Sequence, residues 1–137
     1  MKLFTKKTPK TSPLPTEPQT YPVGSAVLTE KGFFYIKSDT IRMRIPSEDI
    51  VSSWRFHRVI SSNEIGLSNY KIMGKLGFRS GSLIHNIADG KIYLVSENKL
   101  RHIQSPRALA LIGAVYDDAI VVSDSDIKLH EEGLPLN

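Results

Sequence analysis

Hydrophobic and polar positions alternate along this chain in short runs, and the clearest runs lie between Gly81 and Gly113. Leu83–Asn86 reads as a first β-strand, Ala88-Asp89-Gly90 as a turn, and 91–96 (KIYLVS) as a strand rich in β-formers. Glu97-Asn98 predicts a tight hairpin, because Asn tolerates the left-handed conformation such a turn needs. Residues 100–104 return as a third strand. Ser105 then caps a helix with Pro106 at its first position, where a missing donor costs nothing. Ala108, Leu109, Leu111 and Ile112 form its expected buried stripe, and Gly113 ends it. Residues 119–122 are a short apolar strand. Ser123-Asp124-Ser125-Asp126 resembles a capping box for a helical turn through Leu129.

A fainter copy of this pattern lies upstream. At an offset of 58, Gly32 falls on Gly90, Tyr35 on Tyr93, Ile45 on Ile103 and Ser47 on Ser105, and Arg44 falls on His102. Gly24-Ser25 meets Gly81-Ser82 at an offset of 57, and Val59-Ile60-Ser61 meets Val121-Val122-Ser123 at 62. Small drifting offsets between residues of one class point to a diverged duplication, with length changes in the loops. The first copy then predicts strands at 26–29, 33–37 and 41–45, and a helix capped by Ser47 with Ile50, Val51 and Trp54 inward. A later strand follows at 58–61, and Ser61 with Glu64 forms a second capping box.

The expected fold is α+β and β-dominated. It comprises two tandem copies of a three-stranded meander plus short helix, extra strand and helical turn, preceded by an extended arm. The boundaries are 1–22 for a basic Pro-rich arm, 23–79 for unit 1 and 80–137 for unit 2. A unit of about 57 residues buries only about 60% of its surface and is marginal alone. The two are therefore expected to pack as one compact body, with pseudo-twofold symmetry.

Composition changes the picture mainly in the arm. The net charge is +4, but residues 1–22 hold four lysines against a single Glu17, so the body is close to neutral. A neutral body is a poor phosphate-tracking surface, and nucleic acid is not an expected partner. Five of the eight prolines lie in the arm, which has too few sizeable apolar side chains to offset its own ordering entropy. Alone it is expected to be extended or flexible; the sharper alternative is an anchor that orders on a neighbouring chain, through Phe4, Lys6, Lys7, Lys10 and Tyr21. The lysines near the start precede no apolar run, so a secretory signal is not expected.

Candidate chemistry is thin. With no cysteine, thiolate nucleophiles, disulfides and cysteine-bearing zinc sites drop out. His57, His85, His102 and His130 show no helical metal spacing, and His130-Glu131-Glu132 reads as a solvated loop. Asp117-Asp118 and Asp124/Asp126 have turn and helix-start explanations. No nucleophile–base set emerges, so no catalytic, cofactor-binding or metal-binding residue is assigned, and an enzyme is not expected. Arg42 and Arg44 alternate with Ile41, Met43 and Ile45, which puts both on the outward face of a half-buried strand as a candidate docking patch for an acidic partner.

Several of these residues carry a likeness. Gly81-x-Leu83-Ile84, Gly90-x-x-Tyr93-Leu94-Val95, Lys99-x-Arg101-His102-Ile103-x-Ser105-Pro106 and Gly133-x-Pro135-Leu136 resemble a short β-rich repeat from accessory regions of bacterial surface and cell-wall proteins. Leu76-Gly77-Phe78-Arg79 leading into Leu83-Ile84-His85-Asn86 is similar to small stand-alone proteins of tailed phages. The likeness covers 76–136 well and 24–75 weakly. It implies a non-enzymatic structural or adaptor protein of the virion, at the tail, neck or fibre attachment, made in the host cytoplasm. Its expected partners are other virion proteins, in multiple copies of a ring or symmetric assembly, with no small-molecule substrate and no membrane span. The alternative is a cell-envelope module that binds glycan or protein.

Overall fold

The computed structural model describes residues 13–137. It is β-rich, with two five-stranded mixed sheets and a few short helices. Unit 1 supplies β1 (Ala26–Thr29), β2 (Gly32–Ile36), β3 (Ile41–Ile45), α1 (Glu48–Trp54), β4 (Val59–Ser61) and β5 (Lys71–Lys75). Unit 2 supplies β6 (Leu83–Asn86), β7 (Ile92–Ser96), β8 (Lys99–His102), α2 (Pro106–Leu111), β9 (Ile120–Val122), α3 (Asp124–Ile127) and β10 (Glu131–Glu132), with a 3-10 turn at Tyr116–Asp118.

The two sheets have one topology. The orders are β4-β1-β2-β3-β5 and β9-β6-β7-β8-β10, with an antiparallel meander at the centre and a parallel strand on each edge. Glu97 and Asn98 both have positive φ, as the β7–β8 hairpin requires. The Oγ atoms of Ser47, Ser105 and Ser123 accept the N–H groups of Ile50, Ala108 and Asp126. Each such cap is worth about 1 kcal/mol. The Ser61–Glu64 box does not form. Residues 64–69 make turns, and Glu64 serves another partner. The edge strands β5 and β10 were not anticipated; β10 holds only Glu131 and Glu132, which the sequence places in a loop.

The hydrogen bonds also correct the alignment. The N–H of Gly24 reaches the Ile36 carbonyl, and that of Gly81 the Val95 carbonyl. Ile36 therefore corresponds to Val95, and Phe34 rather than Tyr35 corresponds to Tyr93. Ile45 with Ile103, and the two serine caps, correspond as the sequence suggests.

With that correspondence, the two faces of each sheet can be compared. A crossover helix joins the third strand to the parallel edge strand in both units, and the right-handed rule puts it on the same side of each sheet. In unit 1 this helix face presents Ala26, Phe33, Tyr35, Met43 and Ile45 to Ile50, Val51 and Trp54 of α1. The same cluster runs into unit 2 through Ile84, Tyr93, Val95, Leu100 and Val122, which lie on the back face of its sheet, opposite α2. The helix face of unit 2 has its own cluster of Leu83, Ile92, Ile103, Ala108 and Leu109. The back face of unit 1 gathers Val27, Phe34, Ile36, Leu67 and Tyr70. The units thus stack front to back. The pseudo-twofold expectation is wrong, because a twofold would bring like faces together.

Candidate partner-binding surface

The residues leading into each unit are tied down in the same way. Tyr21 precedes Gly24 as Phe78 precedes Gly81. The Tyr21 N–H donates to the Tyr70 hydroxyl at 2.8 Å, and the rings lie 6.5 Å apart. The Phe78 N–H donates to His130 Nε2 at 3.0 Å, with the rings 6.0 Å apart. Accepting at Nε2 leaves His130 Nδ1 to donate to the Asn98 carbonyl at 3.0 Å. His130 is therefore a buried structural residue and not part of a solvated loop. Tyr21 is engaged within its own chain: its hydroxyl also meets Ser62 Oγ at 2.6 Å. Asn63 Nδ2 donates to the Pro15 carbonyl, which holds the arm further out. Phe4, Lys6, Lys7 and Lys10 lie outside the described residues.

Arg42 and Arg44 point to the back face of unit 1, but that face is not open. Arg42 is only 5% exposed. Its guanidinium makes a two-point contact with Glu64, at 2.7 and 3.0 Å, and Nε donates to the Tyr70 carbonyl. Its carbon Cζ lies 4.4 Å above the Phe34 ring centroid. The hydrogen bonds from Arg42, with its positive charge, hold the Glu64 carboxyl below the usual glutamate range against the opposing effect of burial. Arg42 is thus a structural ion pair, which corrects its outward placement. Arg44 remains exposed, with Cζ 5.5 Å above the same ring. Alternation set the face correctly; it could not show that 63–70 would cover it.

The remaining polar groups serve packing. Burial, and then the nearby Asp89 carboxylate, push the pKa of the Tyr93 hydroxyl up to about 12. Asp118 accepts the Val115 N–H in a tight turn. Asp124 is exposed and held below the ordinary aspartate value by hydrogen bonds from Lys128 and then Asn86. Among the described residues no three or more His, Asp or Glu side chains gather as a metal site, and no buried side-chain polar atom lacks a partner. No helix of the described residues is long and apolar enough to cross a membrane.

What is left for binding is surface. Leu111 is 71% exposed, and Ile112, Val115 and Tyr116 are exposed beside it, with Asp117 and Asp118 next in the chain. The sequence assigned Leu111 and Ile112 to the buried stripe. The helix is too short for that: Ala108 and Leu109 cover the sheet, and none of the described residues lies over its far side. At the other end of the molecule Val23 is 58% exposed, and a shallow groove of about 350 Å3 runs between Pro22-Val23-Gly24 and Phe56-His57-Arg58. A third cleft, of about 510 Å3, lies where the units meet, lined by Ser52, Ser53, Ser80 and Ser82 among others. No protein-family model matches the chain, and searches of curated proteins and of solved structures find no match.

Proposed function

We propose that this chain is a non-enzymatic structural or adaptor protein of a tailed-phage particle, a component of the tail, neck or fibre attachment that acts through protein–protein contacts. The likeness of residues 76–136 to small phage proteins suggests the setting. The observation that carries the adaptor reading is where the polar and apolar groups sit. The buried polar side chains are used in latches, caps and one ion pair, while exposed apolar side chains include Leu111, Ile112, Val115 and Tyr116 at one end of a stacked body and Val23 at the other. Such a body suits joining neighbours in line. The lysine-rich residues before Pro13 are the further expected contact, with an acidic neighbour.

Mass spectrometry of purified particles tests the reading. The chain is expected at a fixed stoichiometry to the other tail or neck proteins, and its absence from washed particles would sink the proposal. Retention on purified peptidoglycan, with no signal in particles, would favour the cell-envelope alternative.

A further inference from the structure

We infer that copies of this chain associate front to back, with the helix face of unit 2 in one copy receiving the back face and lead-in segment of unit 1 in the next. The joint inside the chain is the precedent. There the helix face of unit 1 meets the back face of unit 2, and the lead-in 76–80 lies against the end of α1. Trp54 Nε1 donates to the Gly77 carbonyl at 2.8 Å, and the Arg79 N–H donates to Ser53 Oγ at 3.2 Å. Front-to-back stacking uses one face from each unit and leaves the other two at opposite ends of the molecule, the back of unit 1 lying beneath 63–70 and Tyr21. These are the same two kinds of face that already fit together.

The residues at the free ends have changed together. By the serine caps, Ser53 corresponds to Leu111 and Trp54 to Ile112; by the lead-in glycines, Arg79 corresponds to Pro22 and Ser80 to Val23. Inside the chain a backbone donor at Arg79 meets a hydroxyl acceptor at Ser53. At the free ends the donor is gone, because Pro22 has no N–H, and the acceptor is gone, because Leu111 has no oxygen. Ser80, exposed in the cleft at the inner joint, becomes the equally exposed but apolar Val23. A polar joint within the chain is thus matched by an apolar one between chains, with neither end left holding an unpaired group. A front-to-back contact is heterologous, so it builds a ring if the rotation closes and a filament if it does not.

The test is sedimentation or light scattering of the full chain at rising concentration. Mass is expected to climb beyond the monomer. Leu111→Asp and Val23→Asp are each expected to be monomeric, with unchanged circular dichroism because both sites are exposed. Leu111→Ser, which copies Ser53, is expected to weaken association without abolishing it. An equal mixture of the two Asp variants is expected to give a dimer and nothing larger, since each keeps one intact end. The inference falls if the wild-type chain stays monomeric, if Val23→Asp still associates like wild type, as a symmetric patch-to-patch dimer would, or if the mixture stays monomeric. It rests on the two ends of the fold and not on the particle reading. A monomer in solution therefore refutes this contact alone, and absence from particles refutes only the proposed setting.

Discussion

One slot on the back face is filled differently in the two units. In unit 1, Thr29 at the end of β1 hydrogen-bonds Glu64, and Arg42 on β3 lies between that carboxylate and Phe34. In unit 2, Asn86 at the end of β6 hydrogen-bonds Asp124 in the same way, but Leu100 stands where Arg42 does. With no arginine to meet, Asp124 turns outward to Lys128, and both side chains are largely exposed. The difference follows from what covers each face. The back of unit 2 is buried against unit 1, where an apolar Leu100 packs without desolvating a charge. Among the described residues, the back of unit 1 is covered by 63–70 and Tyr21. There a charged side chain can stay partly hydrated at its carboxylate partner and tie the covering segment to the sheet. Duplication supplied the slot, and its position in the stack decided the chemistry.

The most disruptive way to break this comparison is Phe34→Ala. It empties a fully buried site and strips the ring from under Arg42, and the expected loss is about 4 kcal/mol by chemical denaturation. A loss no larger than that of an exposed substitution would mean that the back face of unit 1 is not a packed core.

Next comes Glu64→Gln. It leaves Arg42 buried without its counter-charge, and roughly 2–3 kcal/mol should be lost, below the full penalty of a sealed pair because Glu64 keeps some contact with water. Adding Arg42→Leu, as in unit 2, should restore most of that loss, since it removes the unpaired charge. Asp124→Asn, at the corresponding position, should leave the melting temperature unchanged. The same contrast has a pH signature. The Glu64 carboxyl is held below its ordinary value in the folded state, so its contribution is complete above that value. It is lost as pH falls from about 4.5 through the lower folded value. Acid unfolding curves of wild type and Glu64→Gln should therefore converge in that range, and parallel curves would contradict the ion-pair assignment.

The smallest effects distinguish the two latches. Tyr70→Phe and His130→Phe each remove the acceptor for one backbone N–H, at a cost of about 1–2 kcal/mol. His130→Phe should cost more, because the Phe78 N–H is buried between the units while that of Tyr21 is only partly covered. Amide exchange at Tyr21 and Phe78 reads this directly, and equal acceleration at both would erase the distinction.

Much of the fold was legible in the chain. Strands 26–29, 41–45 and 83–86 lie where the alternation put them, and the three serine caps formed, because short-range patterning and capping act within a few residues. The latches went unread, although Tyr21 and Phe78 occupy matching places before Gly24 and Gly81. The edge strands were not, because β5 and β10 take their order from parallel partners distant in sequence. Glu64 was read as a local cap because a carboxylate three residues after a serine satisfies that pattern whether or not an arginine waits 22 residues upstream.

The sequence by itself determined that two like units exist, that each holds a three-stranded meander, a serine-capped helix and a following strand, and which residues of each strand share a face. Those properties depend on spacing along the chain. Tertiary structure decided which faces meet. Front-to-front and front-to-back stacking use the same strands and the same alternation, and differ only in how one sheet is set against the other. That choice put Leu100 in the core between the units and Arg42 in a buried slot beneath 63–70, and it left Leu111 and Val23 exposed at opposite ends, where the sequence had shown only a buried stripe and the start of unit 1.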